Sequence, residues 1–224
     1  MAKVHGVAGE WARVTGTVMG MWPLFIGIFA AGFAAALMVF IPYWGAPLLA
    51  LALAYCGWTL RQGLRHVERF FKGARGEERV SAILLGLPDS YHVFNDFVAG
   101  SMHVDHVVVG PAGVFAIETK FWKGRVTVEE GCILVDGQLP DRSPLAQVTK
   151  EAAAVKSRLA ELGWTGAVTP VLAFASDTFE AKIAELRGTV ILNANHLRAS
   201  FDTDRVAIPP AECERLVRLM DDNA

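Results

Sequence analysis

Residues 14 to 60 contain no Asp, Glu, Lys or Arg, a run of 47 positions bracketed by Arg13 and Arg61. A helix of a soluble domain needs a polar face toward water, and so long an uncharged segment offers none. Within it, Val18 to Ile41 is apolar for longer than the roughly 20 residues that cross a bilayer. Ile41 to Pro47 reads as a turn, and Leu48 to Leu60 continues apolar. That second run is short and needs Tyr43 to Pro47, or the Arg61 end, to complete a span. Trp22, Tyr43, Trp44 and Trp58 fall near the expected headgroup levels. Residues 18–60 therefore read as a transmembrane helical hairpin. A cleaved signal peptide does not fit, because its apolar region is only about 7–15 residues long.

Charge sets the orientation. Arg61, Arg65, Arg69, Lys72 and Arg75 follow the second run, with only Glu68 among them. The positive-inside rule places this segment and the domain after it in the cytoplasm, as in a bacterial-type inner (plasma) membrane. Two spans return the chain to its starting side, so residues 1–17 form a short cytoplasmic N-terminus. Residues 61–72 read as a basic juxtamembrane helix and 73–224 as a cytoplasmic domain. The basic run serves as a topology signal on a solvated helix face, or as a contact for anionic lipid or DNA.

Formal net charge is −2. From residue 61 onward there are 19 Lys and Arg against 22 Asp and Glu, which is −3. A broadly basic surface is excluded, so any nucleic acid must be held by a local patch. Cys56, Cys132 and Cys213 are scattered without metal-ligand spacing, which argues against a disulfide framework and a zinc site.

Residues 61–87 keep a helical apolar stripe through Leu64, Val67, Phe71, Val80, Ile83, Leu84 and Leu87. Gly73 and Gly76 are expected to break it in two. Glu77 or Glu78 then falls in the first turn of the second helix, where the helix dipole favours a carboxylate. Tyr91 to Phe94 reads as a strand leading to a turn at Asn95-Asp96. Arg125 to Val128 and Cys132 to Val135 flank a hairpin turn at Glu129-Glu130-Gly131. Lys123 and Arg125 are candidate phosphate contacts or plain rim charges. Ser143-Pro144 opens a helix from Leu145 to Leu162, with Ser143 as its cap. Gln147 and Lys150 lie one turn apart on it. Two more strands follow, Val168 to Ala175 and Thr189 to Leu192, and then a closing helix from Pro209 to Met220. The order gives an α/β domain around a mixed sheet flanked by helices.

The most informative stretch is His103 to Lys120, HVDHVVVGPAGVFAIETK. Two apolar strands surround Gly-Pro-Ala-Gly. With Pro111 and Ala112 as a two-residue loop, paired residue numbers sum to 223. Asp105 then opposes Glu118, and His103 opposes Lys120. Like charges directly opposed across an antiparallel pair are destabilising, so the two carboxylates call for a cation. Glu118 and Lys120 share a face of their strand. One face thus carries Asp105, Glu118 and Lys120, a set suited to a metal ion and a phosphate. The plainer reading makes them solvated hairpin charges with Lys120 as the ion-pair partner. Asp96 is either a further carboxylate near this site or an ordinary turn residue.

Asp, a hairpin and then Glu-Thr-Lys resembles the PD-(D/E)xK nuclease core. The longer run resembles the nuclease-related domain (NERD) family of that superfamily. The matching pieces are Gly76-Glu77, Phe94-Asn95-Asp96, Val104-Asp105-His106, Gly110 to Phe115, Ile117-Glu118-Thr119-Lys120, Gly124, and Ser143 to Gln147. They run in order over residues 73 to 160. The resemblance implies a restriction-endonuclease-like mixed sheet and a metal-dependent nuclease acting on DNA or RNA. It implies Asp105, Glu118 and the Thr119 carbonyl as ligands of Mg²⁺ or Mn²⁺, with Lys120 stabilising the transition state. It places Gln147 at the edge of the site and Glu77 within it, against the simple capping role given above. The alternative is a non-catalytic module, tethered to the bilayer, that keeps the nuclease fold to bind nucleic acid or act as a scaffold.

Overall fold

The uncharged segment folds as two helices, α1 (Glu10–Phe40) and α2 (Pro42–Leu85). This computed structural model describes residues 1–179, 182–201 and 206–222. The chain divides into one unit of residues 10–74 and a second of residues 1–9 and 75–224. In the first unit the expected turn over Ile41 to Pro47 shrinks to Ile41. Pro42 opens α2, where its missing N–H costs nothing, and Pro47 is carried inside the helix. The two helices meet through small residues. Ala12, Gly16, Gly20, Gly27 and Ala34 are the buried positions along α1. A methyl group on Gly20 would sit 2.8 Å from Val67, and one on Gly27 2.6 Å from Cys56. Large apolar side chains point outward instead, with Phe29 79% and Phe40 82% exposed. By length and composition α1 can cross a membrane, with a mean hydropathy of 2.2 over its apolar window.

One expectation is corrected. Helix α2 continues unbroken through Gly73 and Gly76 to Leu85. A helical glycine costs only about 1 kcal/mol, too little to stop a helix with packing on either side of it. The first residues carry structure of their own: Lys3–His5 forms a strand, β1, and α1 begins at Glu10.

The larger unit continues with β2 (His92–Ala99), β3 (Met102–Gly110) and β4 (Gly113–Lys120). A separate two-stranded ribbon follows, β5 (Val126–Glu129) and β6 (Cys132–Val135), and then α3 (Pro144–Glu161). Strands β7 (Val168–Phe174), β8 (Ile183–Leu186) and β9 (Thr189–Asn193) come next, with α4 (Pro210–Asp221) closing the unit. The main sheet is mixed, in the order β1-β2-β3-β4-β7-β9-β8. Strands β2, β3 and β4 form an antiparallel meander, while β4, β7 and β9 run parallel. The fold is α/β, with helices on both faces of the sheet.

Helices α3 and α4 cover one face, setting Val155, Leu159, Leu216 and Met220 against Val107, Val109, Val114 and Ala116. Val80 and Leu84 near the end of α2 pack on the other, against Val108, Ile117, Val171 and Leu192. Burial on both faces explains why β3 reads VVV rather than alternating. Ser143 caps α3, its hydroxyl accepting from the Ala146 N–H at 3.3 Å. The hairpin turn falls as the sequence predicts, with Gly110 paired to Gly113. Gly110 also underlies the Tyr91 ring, where a methyl group would overlap the aromatic carbons. Gly110→Ala is expected to destabilise the unit by about 1–3 kcal/mol, as overpacking does. Chemical denaturation followed by near-UV circular dichroism checks this.

Candidate active site

Strands β3 and β4 pair from Gly110↔Gly113 as far as His106↔Ile117. Beyond that the regular ladder ends, just where Asp105 and Glu118 would face each other. The cause is visible in the strands. Phe94 and Phe97, three residues apart, enter the same core cluster, as do Val104 and Val107. A regular strand sends residues three apart to opposite faces. The alternation slips at Asp96, which takes a left-handed φ of 52°, and at Asp105, its partner if the β2–β3 register is continued. The turn expected at Asn95-Asp96 is thus a kink inside β2. His103 does not reach a ladder position opposite Lys120; it pairs with Val98, and its Nδ1 lies 3.8 Å from Asp96.

The slip turns Asp105 toward β4. Its Oδ2 accepts the Thr119 N–H at 2.7 Å, taking the place of a main-chain partner. The Lys120 carbonyl accepts from Ala175, so Lys120, and by alternation Glu118, turn their main-chain groups to β7. Those of Thr119 face the β3 side. Lys120 Nζ donates to Glu118 Oε1, and to Gln147 Oε1 at 2.9 Å. Gln147 Nε2 in turn donates to Glu118 Oε1 at 2.7 Å and to Glu151 Oε1 at 2.9 Å. Glu118, Lys120, Gln147 and Glu151 therefore form one hydrogen-bonded set, and Asp105 stands beside it on the Thr119 N–H.

Glu77 joins them electrostatically. It lies well inside α2, so the helix-start explanation of its carboxylate falls away. Gly76 before it sits close to the end of β4: a methyl group there would stand 3.0 Å from Phe121 Cβ and 3.4 Å from Thr119 Cγ2. The glycine serves close approach, not helix breaking. Burial, followed by the charges of Asp96 and Glu118, pushes the Glu77 carboxyl up to about 7. Burial also holds Asp105 well above the usual carboxylate range, with Glu118 and Glu77 adding to it.

Sequence reasoning missed Glu151. It is 2% exposed, one turn beyond Gln147, on the stripe of Val148, Ala152 and Val155. Burial and then Glu118 push its carboxyl up to about 8. A glutamate within an apolar helical stripe was the available signal. Lys150, by contrast, is exposed on α3.

A divalent cation suits the chemistry of this cluster. Several carboxylates repel one another around a single ammonium, and their oxygens are hard donors. Among the described residues no three His, Cys, Asp or Glu side chains converge closely enough to hold an ion unaided. An ion here would be held by two carboxylates, a main-chain carbonyl and water, a mixture that Mg²⁺ accepts.

Residues 72–175 match the family model of the nuclease-related domain. The chain carries a nuclease-related domain. The match takes in every strand and side chain of the set above. No curated protein and no solved structure matches the chain.

Proposed function

We propose that the protein is a membrane-anchored, metal-dependent nuclease that hydrolyses phosphodiester bonds of DNA or RNA. The observation that carries this reading is the meeting of Asp105, Glu118 and Lys120 where β3 and β4 part, inside a nuclease-related domain. Asp105, Glu118 and the Thr119 carbonyl would hold Mg²⁺ or Mn²⁺. Such an ion, when bound, polarises a phosphodiester and makes water a better nucleophile at neutral pH. Lys120 sets its ammonium beside the same carboxylates, placed to stabilise charge growing on a phosphate oxygen. Gln147 fixes that ammonium through its side-chain carbonyl. Glu77, titrating near 7, exchanges a proton at neutral pH, as a general base must.

The helical unit serves as the anchor. Glycines at the α1–α2 contact with large apolar side chains outward is the pattern of helices packed in lipid. The chain leaves the α/β unit after Gly9 and rejoins it at Arg75, which favours an even number of crossings. With the basic run from Arg61 to Arg75, both termini and the α/β unit lie on the cytoplasmic side.

The test is cleavage of labelled DNA and RNA by the full chain in detergent, with Mg²⁺ or Mn²⁺ and with EDTA. Lys120→Met is expected to lower metal-dependent cleavage by about a hundredfold or more, the usual scale for loss of one charge-stabilising donor. A second reading, a tethered module that binds nucleic acid without cutting it, draws on Lys120 already occupying Glu118. A folded, metal-loaded chain that leaves every substrate intact would select it.

A further inference from the structure

We propose that a groove of about 760 Å³ beside the candidate site receives a single-stranded nucleic acid, with Trp122 stacking on a base and Lys123 and Arg142 holding phosphates. This deepens the nuclease reading of Asp105, Glu118 and Lys120 and rests on it. Lys120 and Gln147 line the groove as well as the site, so a strand lying in it leads directly to the reacting position. Its other walls come from the chain after β4, from the end of β6 and from the loop before α3.

Trp122 is half-buried. Its ring packs on Phe174 with centroids 5.6 Å apart, which fixes its orientation while part of it stays open. Leu139, 69% exposed, adds apolar surface nearby. Lys123 and Arg142 are exposed. Asp136 and Asp141 also line the groove, and Asp136 Oδ1 accepts the Arg125 N–H at 2.8 Å, fixing the turn. Three cations against two carboxylates give a mild field. A duplex draws its affinity chiefly from phosphate neutralisation and gains little here. A single strand adds base stacking, which needs no large positive charge. The net −3 of residues 61–224 points the same way.

The experiment uses the full chain in detergent micelles with EDTA, so that nothing is cut. Fluorescence anisotropy is read with a labelled 20-nucleotide oligo(dT) and with a 20-base-pair duplex. The wild type is expected to bind oligo(dT) at least tenfold more tightly. Trp122→Ala weakens that binding about tenfold. The double variant Lys123→Glu with Arg142→Glu weakens it at least as much, and lowers the salt slope by about 1–2, near 0.7 per lost phosphate contact. Lys156→Glu, exposed on α3, leaves it unchanged. If Trp122→Ala loses its fold along with the Phe174 contact, the double charge variant decides alone. Equal or tighter binding of the duplex overturns the proposal, and so does oligo(dT) affinity that ignores the groove variants. Parallel cleavage with Mg²⁺ separates the two readings. Groove-dependent oligo(dT) binding without cleavage supports the groove and removes the nuclease. Cleavage with binding indifferent to the groove variants overturns the groove and keeps the nuclease.

Discussion

Asp105→Asn is expected to lower metal-dependent cleavage by about a thousandfold or more and, at neutral pH, to raise the melting temperature of the α/β unit. The loss follows from removing one of two carboxylates around which an ion would sit. Metal assistance amounts to several kcal/mol, and each 1.36 kcal/mol is tenfold in rate. The gain in stability follows from the same geometry. Asparagine keeps an oxygen to accept the Thr119 N–H, now held at 2.7 Å by Asp105. It removes a group whose ionisation burial, Glu118 and Glu77 all oppose. A carboxyl whose ionisation the native site opposes costs folding stability at neutral pH, a cost that the neutral isostere avoids. A rise of about 3 °C corresponds to roughly 1 kcal/mol in a unit of this size. Glu118→Gln should match it in lost cleavage but not in stability, because Glu118 is where Lys120 and Gln147 anchor. Scanning calorimetry and a cleavage assay on the same samples check both. Opposite signs for stability at two adjacent carboxylates would mark Asp105 as a residue kept for function. A fall in both would recast it as packing.

Much of this site was legible in the sequence because it rests on local rules. A Gly-Pro-Ala-Gly turn fixes hairpin register, and register alone sets Asp105 and Glu118 at the same level. Ser143-Pro144 marks the start of α3, and so brings Gln147 to the end of β4. What escaped depends on distant partners. The slip at Asp96 needs a left-handed residue that no glycine announces. The three residues of β1 become a strand only because β2 offers an edge to pair with. Strand β8 is four residues long at the other edge and depends likewise on β9. The continuity of α2 through Gly73 and Gly76 is a tertiary override of a local breaker signal. Glu151 carried a signal in its apolar stripe, but its role required knowing that α3 lays that stripe against β4.

Without added metal, the stability of the α/β unit is expected to fall as pH rises from about 6.5 to 8; below that window the buried His106, pushed down to about 3, opposes the fall. Glu151→Gln should make that fall shallower between about 7 and 8. In the folded chain the Glu151 carboxyl titrates near 8 and that of Glu77 near 7, against an ordinary 4.5. The native state therefore keeps protons that the unfolded chain has released. Each such group contributes stability that is complete below about 4.5 and lost as pH climbs to its folded pKa. Above about 7 Glu77 is spent, and Glu151 acts beside Asp105, whose carboxyl burial also holds high. One proton of difference is about 1.4 kcal/mol per pH unit, or roughly 3–5 °C in melting temperature. Glutamine cannot ionise, so the slope above pH 7 should lose the Glu151 proton's share in that variant. It keeps a carbonyl to accept from Gln147, whose Nε2 now reaches Glu151 Oε1 at 2.9 Å. Cleavage by Glu151→Gln should accordingly stay within about threefold of wild type, whereas Glu151→Leu, with no acceptor, frees Gln147 and should cost about tenfold. Melting curves at half-unit steps of pH, with cleavage rates beside them, distinguish this positioning role from simple packing. If Glu151→Gln melts with the wild-type slope between pH 7 and 8, the proton is held elsewhere in the cluster.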